Sequence, residues 1–166
     1  MNTSVLLVDD NRRLIEHTSK NLFDMRPEWN VMPASSCAEA RRIMGEADFM
    51  PDAAVLDFAL PDGNGLDLMD ELMQMIPALP VIMISGSVSD NLKENVKTNG
   101  GYAFVEKPFY IGSLVDQVEQ AMTHMKSPGV TMERKVVTTT ALCVLPENRA
   151  LALNHKPDFK TLLNIA

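Results

Sequence analysis

Cysteine is nearly missing: 2 in 166 residues. Cys37 and Cys143 stand far apart, outside any Cys-x-x-Cys or Cys/His spacing, which argues against a disulfide framework and against a cysteine-built zinc site. Positive charge is short as well. The formal net charge is -7, and a chain that acidic is a poor binder of nucleic acid or anionic membrane at large. No apolar run approaches the ~20 residues that span a bilayer, and no basic segment followed by an apolar one opens the chain. The expectation is a soluble, cytoplasmic protein with no membrane contact. There are no repeats and no low-complexity tract.

What is present is a regular alternation. Short Val/Ile/Leu-rich runs, Val5–Val8, Val31–Ala34, Ala53–Leu56, Val81–Ile84 and Ala103–Val105, read as strands, and their lack of polar alternation suits burial on both faces. Helical periodicity fills the gaps. Leu14, Thr18, Leu22 and Met25 share one face, Ala40, Ile43 and Met44 a second, and Leu66, Met69, Leu72, Met73 and Ile76 a third. Leu92 and Val96 mark a fourth helix, and Leu114, Val115, Val118, Ala121, Met122 and Met125 a fifth. Punctuation agrees. Ser36 with Glu39 three residues on is a capping-box pattern, Pro61-Asp62-Gly63-Asn64-Gly65 is a turn cluster, Ser89 can cap the fourth helix, and Asn99-Gly100-Gly101 can end it. The order is (βα)5. Right-handed crossovers fold such a chain into an α/β, doubly wound, parallel five-stranded sheet. Several of the twelve methionines lie on core faces at helical spacing, which fits gap-filling in the core better than a metal or hub-surface role.

Charge and composition change near residue 127. Residues 1–126 carry 10 Lys+Arg against 19 Asp+Glu, and residues 127–166 carry 5 against 3. Lys126-Ser127-Pro128-Gly129 reads as a linker. Two domains follow: 1–126, and a 127–166 extension whose β-prone run Val136–Leu145 could turn at Pro146-Glu147-Asn148 into a hairpin.

The chemistry-bearing residues stand at strand ends. The first run leads into Asp9-Asp10, the third into Asp57, the fourth into Ser85-Gly86 and the fifth into Lys107-Pro108. In a parallel sheet all of these open on one edge, where ligands bind. Alone, each aspartate and Ser85 reads as a cap or a turn residue, and Lys107 as a surface lysine. Together they are a costly cluster, because unit charges ~4 Å apart repel by about 4 kcal/mol at an effective dielectric near 20. A divalent cation such as Mg2+, with its hard oxygen ligands, relieves that repulsion. Lys107 offers a point charge for a phosphate oxygen, the Ser85 hydroxyl a hydrogen bond, and Gly86 an open approach.

Taken in order and at these spacings, Asp9-Asp10, Asp57, Leu60-Pro61-Asp62-Gly63, Ser85-Gly86 and Lys107-Pro108-Phe109 resemble the receiver domain of bacterial two-component response regulators, the CheY-like superfamily. The resemblance covers roughly residues 3–126. It implies the flavodoxin-like strand order 2-1-3-4-5 and a phosphorylation-dependent signalling switch rather than an enzyme. In that reading Asp57 is the phosphoacceptor, and Mg2+ is held by Asp9, Asp10, Asp57 and the backbone carbonyl of Ala59. Ser85 and Lys107 grip the phosphoryl group, and Phe104 is the switch residue. The family often has Tyr there, and Phe has no hydroxyl to donate. Implied partners are a sensor histidine kinase or a phosphotransfer protein, and a second copy joined through the face of the fourth helix and fifth strand or through the extension.

Other readings of the same residues exist. A haloacid-dehalogenase-type phosphatase also uses a strand-end Asp and Mg2+, but it wants an acid two positions on, where this chain has Ala59. A flavodoxin-like FMN carrier needs a phosphate-accepting first loop, which Asp9-Asp10 would repel. A receiver belonging to a larger transcriptional or enzymatic regulator is a third. The extension lacks two clear amphipathic helices and carries little positive charge, so direct DNA binding is not expected of it.

Overall fold

The computed structural model describes residues 3–46, 49–87 and 89–126. Five strands, β1 (Thr3–Val8), β2 (Trp29–Ala34), β3 (Ala53–Asp57), β4 (Val81–Ser85) and β5 (Ala103–Glu106), alternate with five helices. These are α1 (Arg12–Met25), α2 (Cys37–Met44), α3 (Gly65–Met75), α4 (Asp90–Thr98) and α5 (Ile111–Lys126). All five strands pair in parallel, in the order β2-β1-β3-β4-β5. This is the expected doubly wound sheet.

Alternation along the strands builds two cores. Leu6, Val8, Leu56 and Met83 point into a layer with Ala40, Ile43, Leu68, Met69, Leu72 and Val96 of α2, α3 and α4. Val5, Leu7, Val55, Ile82 and Ile84 point the other way, against Leu22 of α1 and Leu114, Val115 and Val118 of α5. Each such side chain contributes about 1.5–3 kcal/mol by leaving water. β3 and β4 are buried throughout, as their unbroken apolar runs demand. The edge strands depart from the expectation. β2 and β5 are only partly buried, because an edge strand has no neighbour on one side. β2 tolerates Pro33 for the same reason. Met25, the last residue of α1, also departs: it is 41% exposed.

Helix starts follow local chemistry. Asn11, Ser36, Asn64 and Ser89 cap α1 to α4, each side chain accepting from the amide three residues on. At the end of α4, Gly101 N donates to Val96 O at 2.8 Å and Gly100 N to Lys97 O at 3.1 Å. That is a Schellman closure, with Gly100 at φ 88. Among the described residues no helix is long and apolar enough to cross a membrane. The extension at 127–166 and the hairpin expected within it lie outside the described residues.

Candidate functional site

The parallel register brings the strand ends to one edge. Val8 lies beside Leu56, Asp57 beside Ile84, and Ser85 beside Glu106. Asp9, Asp57, Ser85 and Lys107 therefore emerge side by side. The Asp9 amide donates to Ala34 O at 3.1 Å, which extends the β1–β2 ladder by one residue and fixes where that carboxylate emerges. Neither acidic residue of the first loop caps α1, because Asn11 does. Its side chain accepts from Leu14 N, and its own amide donates to Asp9 Oδ1 at 2.9 Å.

Asp9 and Asp57 are buried, 1% and 6% exposed, and Asp10 is exposed. One carboxylate oxygen of each lies within 4.8 Å of those of the other two. Lys107 Nζ sits 2.5 Å from Asp9 Oδ2 and 2.9 Å from Asp57 Oδ2. The Asp9 contact is ionic rather than a directed hydrogen bond, since Asp9 Oδ2 has no aligned donor. Burial pushes the Asp57 carboxyl above the ordinary carboxylate range, and the nearby Asp9 adds to this. Lys107 and the backbone amide of Ala59 pull it down. The cluster suits a hard divalent cation: three oxygen donors of like charge, two of them sheltered, with a buried oxygen lacking a directed partner.

Ser85 is 2% exposed. Its hydroxyl is turned into its own loop, donating to Ser87 O at 3.0 Å and accepting from Ser87 N at 3.1 Å. A Cβ on Gly86 would meet nothing within 4 Å, so the open approach there does not depend on glycine. Lys107 N donates to Ser85 O at 2.8 Å, which ties the lysine's backbone to the end of β4. The Lys107–Pro108 peptide bond is cis. Phe104, opposite Met83 in the β4–β5 register, is half-buried against the α2–α4 layer.

Two contributors were not legible as such in the sequence. Gly65 is one: its amide donates to Phe58 O at 2.7 Å, and a Cβ there would lie 2.2 Å from Asp57 O. Only glycine lets α3 begin this close to the acidic strand end. Asp62 is the other. It sits in the turn of a two-rung antiparallel ladder, Ala59–Leu60 with Gly63–Asn64, and its carboxylate accepts from the Cys37 and Ala38 amides, each at 2.8 Å. The turn signal was visible at Pro61–Gly65, but not the partner 25 residues away.

Comparison with known proteins agrees with this geometry. The family described as response regulator receiver domain matches residues 5–119. The putative NtrX-like response regulator of Rickettsia felis is 30% identical over 83% of this chain and 29% of its own length. The probable transcriptional regulatory protein TcrX of Mycobacterium tuberculosis is 38% identical over 68% of this chain and 46% of its own. The chain thus spans less than half the length of these curated relatives. Among solved structures, a CheY-like receiver domain protein from Methanospirillum hungatei superposes with a TM-score of 0.68 at 21% identity, over 75% of this chain and 97% of that one. The fold, the strand-end cluster and the match over most of the chain lead to one conclusion: this chain belongs to the response regulator receiver domain family.

Proposed function

We propose that residues 1–126 form a phosphoacceptor switch in which Asp57 takes a phosphoryl group from a phosphohistidine on a sensor histidine kinase or phosphotransfer protein. An Asp57 carboxylate oxygen attacks phosphorus, the Oδ–P bond forms, the N–P bond breaks, and the imidazole nitrogen leaves and takes up a proton. The observation that carries this is the placement of a buried carboxylate, Asp57, against the Lys107 ammonium, which also contacts the second buried carboxylate, Asp9. Asp9, Asp10 and Asp57, with the Ala59 carbonyl, would hold Mg2+, which screens the phosphoryl oxygens and makes an anionic acceptor workable.

The chain's own residues do the rest. Lys107 gives up part of its contact with Asp57 to pair a phosphoryl oxygen. Ser85 leaves Ser87 and donates its hydroxyl to another. Phe104 then packs into the vacated space by shape alone, and the face of α4 and β5 changes with it. This shifts a two-state equilibrium that a partner reads. Water attack on phosphorus returns the Asp57 carboxylate and inorganic phosphate. The partner is an output element or a second copy, meeting the α4–β5 face or the 127–166 extension. A phosphatase reading finds no support, because Ala59 offers no acid two residues after Asp57.

Beryllofluoride with Mg2+ tests the switch. Amide shifts are expected at Ser85, Ser87, Phe104 and Lys107 in the wild type and are lost in Asp57→Asn. Equal shifts in both proteins would remove Asp57 from the role.

A further inference from the structure

Resting on the reading of Asp57 as the acceptor, we propose that Asp62 is a positioning residue for the phosphoryl transfer, acting by staking the β3–α3 loop to the N-terminus of α2. A helix start leaves its first amides without intrahelical partners. At α2 three of them are answered from two places. Ser36 Oγ accepts from Glu39 N at 3.1 Å, and the Asp62 carboxylate accepts from Cys37 N and Ala38 N, each at 2.8 Å. Ser36 is local to the helix. Asp62 comes from the loop that leaves the acceptor aspartate.

That loop is built to transmit the tie. Asp62 sits in the turn that joins the two short strands Ala59–Leu60 and Gly63–Asn64. The first of these begins at Ala59, two residues after Asp57, and Gly65 N closes the base of the loop on Phe58 O, the residue next to Asp57, at 2.7 Å. The turn is pressed on the helix as well, since a Cβ on Gly63 would approach Cys37 Sγ to 3.1 Å. Holding Asp62 on α2 therefore holds the hairpin, and the hairpin is closed on Phe58, whose backbone adjoins the acceptor residue. Asp62 does not touch the reacting atoms. Its carboxyl, held below the ordinary range by the two amides, stays ionised and bonded at neutral pH.

The test follows phosphorylation by acetyl phosphate with saturating Mg2+, read as intact mass against time in wild type, Asp62→Ala, Asp62→Asn and Ser36→Ala. Asp62→Ala is expected to lower the maximal rate about tenfold, the scale seen when a group that orients a ligand is lost. The acetyl phosphate concentration for half-saturation should stay unchanged, and amide exchange at Ala59 should speed up. Asp62→Asn keeps one acceptor oxygen and should recover part of the rate. Ser36→Ala weakens the same helix end without touching the loop, and should keep the wild-type rate. Wild-type rates in both Asp62 variants would overturn the positioning role alone. So would an equal slowing in Ser36→Ala, which would trace the effect to helix stability. A wild type that takes no phosphoryl group would remove the acceptor reading and this one with it.

Discussion

Two groups of carboxylates share one edge of this sheet and are treated in opposite ways. At the start of α2, Asp62 and Glu39 accept backbone amides. Glu39 Oε2 takes both the amide and the hydroxyl of Ser35 at 2.7 Å, and both carboxyls are held below their ordinary range by those bonds. In the strand-end pocket, Asp57 is buried beside Asp9, and its carboxyl is pushed up. The first group stabilises the fold when charged. The second is a charge the fold would rather not carry, tolerated because Lys107 stands beside it. The difference separates carboxylates that the scaffold satisfies with backbone amides from those it leaves crowded in a pocket.

The sharpest way to break this contrast is to remove the cation. Lys107→Met leaves two buried carboxylates unpaired and should cost about 3 kcal/mol at neutral pH in urea unfolding, with part of it restored in the double variant Lys107→Met/Asp57→Asn, which removes one of them. Next in size is the cation's substitute. Mg2+ at about a hundredfold over its dissociation constant should stabilise the wild type by about 2.7 kcal/mol in thermal melts, and Asp10→Ala should largely lose that gain. At α2 the effects are smaller. Ser36→Ala should cost about 1 kcal/mol.

The sign of pH dependence also separates the groups. Glu39 and Asp62 have depressed folded values, so their stabilisation is present above the ordinary carboxylate range and lost as pH falls below it. Asp57 has a raised value, so its penalty is absent in acid and appears as pH rises through that raised value. Asp57→Asn should therefore melt a few degrees above wild type at neutral pH, with the gap closing on acidification. An unchanged gap across that range would mean the buried charge is not the cause.

Much of this was legible in the sequence because it is local. The Val/Ile/Leu runs placed five strands and, through the rule that parallel strand ends share an edge, brought Asp9, Asp57, Ser85 and Lys107 together. Ser36, Ser89 and Asn99-Gly100-Gly101 were readable as caps because capping acts over three or four residues. The capping box came out displaced: Glu39 reaches Ser35 rather than the Ser36 amide. What escaped depends on tertiary contact. Nothing near Asp62 signals Cys37 and Ala38, nothing near Gly65 signals the closeness of the Asp57 carbonyl, and no local pattern says that Ser85 rests on Ser87 or that Lys107 pairs Asp9 as well as Asp57. The partial exposure of β2 and β5 likewise follows from their place at the sheet edges, which composition does not reveal.

The central claim is that the crowded carboxylate, not the satisfied ones, is the group that becomes modified. Intact-mass and peptide mapping after incubation with acetyl phosphate and Mg2+ addresses it most directly. One phosphoryl group is expected, on the peptide carrying Asp57, absent without Mg2+ and absent in Asp57→Asn. An unmodified wild type, or an adduct that persists in Asp57→Asn, would contradict it.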